Sequence, residues 1–443
     1  VNRTKADELI GMEPQAFLRF LESNGIRRFC FVTDASGQVQ ASHPALDSLA
    51  EFLRSDPRDF ARHEGLFFQV SHTPDHLLGA FVHRTCRGQA AGGVRYWHYA
   101  AMEHYFRDGL RLSQGMTHKC ALAGLWWGGG KGVILRPEGT VVLDPALRRQ
   151  LFEEYGDFIS SLSGCYVTAE DVGAGPHDMA AVFSRTRFTT CIPQALGGSG
   201  NPSEPTARGT VCAMEAALEF LGQGALSGKT VAVQGTGHVG TPLVRLVLGK
   251  GARRVIACDL SADRVAALKA EFPPERLEIR QTKADDLSLL SEPCDVLAPC
   301  ATGGILSERT IPGIQARLIC GAANNQLEDP VRDDRRLLER KITYVPDFLA
   351  NRMGIVNCSN EQYGSLSPDP AVEQHLSADW EHSIRLTTRR VLKASAESGR
   401  PPGQVAVDLA EELSRQWHPI FGHRGYAIVQ SLVTGGWHLQ KER

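Results

Sequence analysis

The 443 residues carry 48 Lys plus Arg against 50 Asp plus Glu, a formal net charge of −2. That length suffices for two domains with cores of their own, and so even a balance gives no general footprint for nucleic acid or an anionic membrane. A small-molecule partner is expected instead.

Eleven dispersed cysteines, an odd count with no Cys-x-x-Cys pair, argue against a disulfide framework or a structural zinc site and fit a reducing cytoplasm. Lys5, Asp7, Glu8 and Glu13 stand where a signal peptide needs an apolar core, and no run approaches membrane-spanning length. No membrane role is expected.

Residues 1 to about 60 show helical patterns such as Phe17, Leu18, Phe20 and Leu21, without a usable motif. From Leu66, LFFQVSH and LLGAFVHR read as strands, followed by Gly92-Gly93. Arg95 at a strand end can clamp a carboxylate or serve a structural ion pair, and it is left out of the catalytic set. Met102, Tyr105, Phe106, Gly109, Leu112 and Met116 recur at three- and four-residue spacing, predicting a helix that delivers Lys119 near its C-terminal end. Gly128, Gly129 and Gly130 permit a close approach, and Val133 to Leu135 reads as a buried strand beginning just after Lys131. Lys131 is therefore expected to point into a pocket. A phosphate-binding loop is excluded, because it needs Gly where Leu125 stands and Ser or Thr where Gly132 stands. A desolvated lysine near a second ammonium has its neutral form favoured, which makes a base; the plain alternative is a solvated lysine in a loop.

A helix over Pro145 to Leu162 and a strand over Cys165 to Thr168 lead to Glu170 and Asp171, ahead of a glycine-containing turn. His177 and Asp178 lack metal-ligand spacing, and no metal is expected. After Pro205, a helix over Thr206 to Leu221 precedes the strand Thr230 to Gln234, then Gly235-Thr236-Gly237-His238-Val239-Gly240, a helix to about Leu248 and the strand Arg254 to Cys258. Asp259 stands 19 residues past Gly240. Strand, glycines, helix and acid together make the dinucleotide fingerprint, with pyrophosphate at the helix N-terminus and Asp259 on the ribose hydroxyls. A 2′-phosphate would meet that carboxylate, so NAD is expected over NADP, with Arg264 near enough in sequence to oppose this. Strands at Asp295 to Pro299, Arg317 to Cys320 and Thr343 to Pro346 place Ala301, Thr302, Asn324 and Asn325 at strand ends, where open α/β sheets bind ligands. Val372 to Gly399 and Gln404 to Trp417 read as helices. The expected fold is α/β in two domains with a cleft between them: a substrate domain over 1–200, a Rossmann-type dinucleotide-binding domain over 201–370, and C-terminal helices over 371–443.

Gly92-Gly93-Val94-Arg95, MTHKCALAGL, GGGKGVI, Thr168-Ala169-Glu170-Asp171-Val172-Gly173 and Gly321-Ala322-Ala323-Asn324-Asn325 resemble, in order and approximate spacing, the amino-acid dehydrogenase family of leucine, phenylalanine, valine and glutamate dehydrogenases. The resemblance spans roughly residues 65 to 415 and is closer to the leucine, phenylalanine and valine branch. It implies NAD-dependent oxidative deamination of an L-amino acid to a 2-oxo acid and ammonia, and the reverse. Asp171 is implied to exchange a proton with the substrate nitrogen, with Lys119 holding the α-carboxylate and Lys131 polarising the carbonyl and activating water. Asn324 and Asn325 are implied at the nicotinamide and the substrate carboxylate. Asn351 joins the cofactor set, and Ala91, Gly92, Ala169, Ile355 and Cys358 join Lys119 and Asn325 in the substrate set. The resemblance further implies C-terminal helices that return to brace the substrate domain, and a homo-oligomer.

Glutamate enzymes read the distal carboxylate with a lysine and a serine where this chain has Ala91 and Cys358, so apolar or aromatic substrates are implied. Two departures stand out. Asn351-Arg352-Met353-Gly354 replaces Asn-Ala-Gly-Gly beside the expected nicotinamide site, and Trp126 and Trp127 precede GGGK, where Trp127 is expected to narrow the room left by Ala91. The tail after His418 extends beyond the usual end. Alternative readings are a biosynthetic homologue reducing another imine or 2-oxo compound, and a nucleotide-binding homologue without turnover.

Overall fold

The computed structural model describes residues 5–139, 143–361, 364, 366 and 368–440. Two sheets organise them. The first is seven-stranded: β1 (Arg28–Thr33), β2 (Val39–Ala41), β3 (Gly65–Val70), β4 (Leu77–Arg84), β5 (Ala90–Trp97), β6 (Gly128–Leu135) and β7 (Tyr166–Glu170), in the order β2-β1-β3-β4-β6-β5-β7. Its outer part is antiparallel, whereas β5 runs parallel to both β6 and β7. The first sixty residues thus supply two strands of this sheet, and Phe17, Phe29 and Phe31 bury against Phe68 and Phe106 in its core.

The glycines ahead of Lys131 belong to β6 itself, so the strand begins at Gly128, three residues before Lys131 and earlier than the sequence suggests. The reason is steric. A Cβ at Gly129 would strike the Thr117 backbone, and one at Gly109 would strike the Phe81 ring, so the helix Met102–Leu122 lies close against β6 and β4. Helix and strand thereby carry Lys119 and Lys131 to the same side.

The second sheet is parallel throughout: β8 (Thr230–Gln234), β9 (Arg254–Asp259), β10 (Leu277–Gln281), β11 (Val296–Pro299), β12 (Leu318–Ile319) and β13 (Thr343–Tyr344). Its order, β10-β9-β8-β11-β12-β13, is the 3-2-1-4-5-6 arrangement of dinucleotide-binding folds, with the switch point between β8 and β11. The expected two-domain α/β architecture is what the chain adopts.

The helix expected over Val372 to Gly399 divides into Pro370–Leu376 and Ile384–Ser398, and the one expected over Gln404 to Trp417 is Pro402–Ser414. This last helix packs on Met102–Leu122. Glu411 accepts from His118 Nε2 at 2.9 Å and from Arg84 at 2.8 Å, fastening the returning helix to the first sheet's side. A further helix, Arg424–Thr434, and the fully buried Trp437 then close over Phe67 and Phe158.

Candidate active site

A cleft of about 660 Å³ separates the β6 side from the strand ends of the parallel sheet. On one wall Lys131, only 4% exposed, places Nζ 2.8 Å from Asp171 Oδ2. Asp171 follows β7, and Arg95 Nε reaches the same oxygen at 3.2 Å while its other nitrogen holds Asp108 at 2.9 and 3.0 Å. Arg95 is thus a structural ion-pair partner that aims Asp171. Burial alone would raise the Asp171 carboxyl, but Lys131 and Arg95 outweigh it and hold it down at about 2. Burial also pushes Lys131 below the usual lysine range, opposed by Asp171 and assisted by Arg95. The like charge weighing most on Lys131 is therefore Arg95, where the sequence pointed to Lys119.

Lys119, one helix turn short of the end of Met102–Leu122, is likewise lowered by burial, with Asp347 acting in the opposite direction and Lys131 in the same one. It reaches across the cleft to Asn324 Oδ1 at 3.4 Å, an oxygen that also accepts from Asn351 Nδ2 at 2.8 Å. Asn325 takes a left-handed backbone, φ 52°, and donates its N–H to the Asp347 carboxylate. Asp347 is 9% exposed, raised by burial, and was missed from sequence, where it is one acid in a Pro-Asp-Phe turn.

Of the other expected substrate residues, Ala169, Ile355 and Cys358 line the cleft, with Met116 and Leu112 adding apolar surface. Ala91 and Gly92 do not. Ala91 is buried in the core behind β5, and Gly92 lies against Met116 and the Gly130 carbonyl, so Gly93 is the β5 glycine that faces the cleft. The adjacent acids diverge: Glu170 accepts from Asn201 at 2.9 Å, and its buried Oε2 has no hydrogen-bond partner among the described residues. Asp178 is taken by Arg148, and His177 is exposed.

At the switch point the three glycines divide their tasks. Gly235 has φ 90° and abuts Ala301, Gly240 packs on the Gly235 carbonyl, and Gly237 is open to an approaching ligand. This is the cradle a dinucleotide pyrophosphate needs. His238 and Val239 line the cleft, and Ala301 and Thr302 follow β11 as exposed residues. Asp259, at the end of β9, accepts from Thr236 N at 2.7 Å, Thr236 Oγ1 at 3.1 Å and Ser261 N at 2.8 Å. Burial opposes its charge, but those bonds keep the carboxyl below its usual range. Arg264 stands 3.6 Å from it.

The two departures do not enter the cleft. Arg352 is fully buried behind it, donating to Leu122 O at 2.6 Å, to His382 O and to Thr387 Oγ1, and Met353 fills core space that Gly209 leaves open. Burial lowers Arg352 to about 9. Trp127 is buried in the same apolar core as Ile355 and Cys358, and Trp126 lies under the Arg87 guanidinium at 4.2 Å; neither tryptophan lines the cleft itself.

A glycine-cradled switch point facing a buried lysine–aspartate pair across a cleft defines a two-domain α/β oxidoreductase. The family model "Glutamate/Leucine/Phenylalanine/Valine dehydrogenase" matches residues 197–414, and that family's dimerisation domain matches 79–188. A leucine dehydrogenase of Geobacillus stearothermophilus is 40% identical over 64% of this chain and 74% of its own length, and a phenylalanine dehydrogenase of Lysinibacillus sphaericus is 37% identical over 69% and 78%. The crystal structure of an L-tryptophan dehydrogenase from Nostoc punctiforme superposes with a TM-score of 0.64 at 32% identity, covering 80% of this chain and 96% of that one. The chain belongs to the Glu/Leu/Phe/Val dehydrogenase family, closer to its leucine, phenylalanine and valine members than to glutamate dehydrogenase.

Proposed function

We propose that this enzyme catalyses NAD-dependent oxidative deamination of an L-amino acid with an apolar or aromatic side chain, giving a 2-oxo acid and ammonia, and the reverse reductive amination. The observation that carries the reading is the buried Lys131–Asp171 contact of 2.8 Å on one wall, with Lys119 beside it facing Asn324.

Lys119 binds the substrate α-carboxylate and Asn325 supports it. Asp171, ionised and aimed by Arg95, takes and returns the proton at the substrate nitrogen. Lys131, in its neutral form, accepts a proton from the water that attacks the imine carbon, and as ammonium it stabilises the oxygen that develops there. Gly237, His238, Val239, Asp259, Asn324 and Asn351 hold NAD, which supplies or accepts the hydride when bound. Met116, Ile355 and Cys358 offer the side chain an apolar wall, and Arg111, a further cation of the cleft, is engaged by Asp59 at 3.0 Å.

The match of the family's dimerisation domain supports a homo-oligomer. Free cysteines throughout the described residues support a reducing compartment, and among those residues no helix is long and apolar enough to cross a membrane. The test of the reaction is NADH consumption with a panel of 2-oxo acids, each with and without ammonium. Ammonium-dependent consumption with apolar or aromatic 2-oxo acids is expected. Consumption independent of ammonium contradicts the reading.

A further inference from the structure

Away from the cleft, three donors of different chemistry converge from distant segments. Glu64 precedes β3, Cys86 follows β4, and His423 immediately precedes the helix Arg424–Thr434. A carboxylate oxygen, a thiol sulfur and an imidazole nitrogen lie within 4.8 Å of one another, the one such group of three or more found among the described residues. We propose that Glu64, Cys86 and His423 bind a zinc-class divalent cation that pins the C-terminal tail to the first sheet.

Glu64 Oε1 and His423 Nε2 are 3.0 Å apart. Zinc bonds to such donors are about 2.0–2.1 Å, and tetrahedral angles set neighbouring donors roughly 3.3 Å apart, so only a slight opening admits the ion. The carboxylate is already oriented from behind: Thr85 N donates to Oε1 at 2.9 Å and Thr85 Oγ1 to Oε2. Outer partners of this kind fix ligating carboxylates in metal sites. The His423 ring is held against Tyr426 and Trp417. A thiolate and a carboxylate balance a dication, and a sulfur, nitrogen and oxygen set selects zinc over magnesium or calcium. His423 is 24% exposed, which leaves room for water as a fourth ligand. Spacing rules could not reveal this trio, because no two of its members are sequence neighbours. His423 lies past residue 414, where the family match ends, and none of the three donors lines the cleft, so the site is independent of the proposed reaction.

The 443-residue chain, stripped with a chelator, is titrated with zinc against a chromophoric competitor and separately with Co(II). One equivalent per chain is expected, with a thiolate-to-Co(II) charge-transfer band in the near ultraviolet. Cys86→Ser should abolish the band, and both it and His423→Gln should weaken zinc binding by roughly 100-fold or more. Cys358→Ser, which alters a close thiol pair elsewhere in the fold (Cys191 Sγ to Cys358 Sγ, 3.1 Å), should leave both unchanged. Zinc should also slow tryptic cutting after Arg415 and Arg424 in the unmodified protein. The proposal is overturned if the unmodified protein binds no stoichiometric zinc, if the band survives Cys86→Ser, or if Cys358→Ser removes it. Equal tryptic cutting with and without zinc overturns the pinning of the tail without requiring any variant to fold.

Discussion

Arg95 and Lys131 approach one oxygen of Asp171 from two directions, at 3.2 and 2.8 Å, on a largely buried wall of the cleft. The carboxylate is thereby kept ionised and fixed beside the amine that faces the cleft.

If Arg95 positions Asp171, the conservative Arg95→Lys substitution should still impair the enzyme, because a single ammonium cannot span Asp171 and Asp108 as the guanidinium fork does. We expect kcat to fall by roughly 10–100-fold, the scale of small misplacements in a reacting pair, with little change in KM. Arg95→Met, unlike Arg95→Lys, removes a charge that lowers Asp171, so in that variant the acid limb of kcat/KM should move to higher pH. An unmoved acid limb with unchanged kcat contradicts the positioning role.

Lys119 is assigned an interaction present both before and during the transition state. Lys119→Ala should therefore raise KM at least as much as it lowers kcat. Because Arg95 outweighs Lys119 as the like charge near Lys131, the basic limb should move little. A loss confined to kcat would remove Lys119 from carboxylate binding.

Cofactor choice rests on Asp259, whose oxygens already hold Thr236 and Ser261. A 2′-phosphate would add like charge beside an ionised carboxylate, so kcat/KM should favour NAD over NADP by roughly tenfold or more. Asp259→Ser should narrow the ratio by leaving Arg264 unopposed. Equal kcat/KM for the two cofactors in the unmodified enzyme contradicts this account.

Glu411 couples the Pro402–Ser414 helix to His118 and Arg84. The His118 hydrogen bond, followed by Arg84, holds its carboxyl at about 2 against the opposing effect of burial. A depressed folded pKa gives stability that is present above the unfolded value of about 4.3 and lost as pH falls through about 2. Glu411→Gln should cost roughly 1–3 kcal/mol near neutrality, and the gap from the unmodified protein should begin to narrow below about pH 4 and close only as pH falls through about 2. A gap independent of pH, measured by chemical denaturation, contradicts the ion-pair account.

The parallel sheet and its glycine loop were legible because each signal is local: a strand, three glycines and an acid at fixed spacing. Lys119, Lys131 and Asp171 were legible through their motifs, though their contacts were not. Asp347 and the Arg95–Asp108 pair escaped because a single charge in a turn, at a strand end or on a helix looks alike whether solvated or buried. Arg352 misled for a related reason: position in the chain locates the loop but not the direction of a long side chain, which here turns into the core. Strand β1 was missed because all its residues are buried, leaving no alternation to read.

The central claim is that neutral Lys131 works beside ionised Asp171, and the pH profile of kcat/KM for deamination tests it most directly in Lys131→Ala beside the unmodified enzyme. The unmodified profile should rise through a basic-side pKa below that of free lysine, as the lowered Lys131 value requires. Lys131→Ala should lose that limb and fall by roughly 10²–10⁴ in kcat, the range typical of removing a positioned acid or base, while NADH binding persists. A Lys131→Ala enzyme with near-normal kcat and the same basic limb would contradict the account.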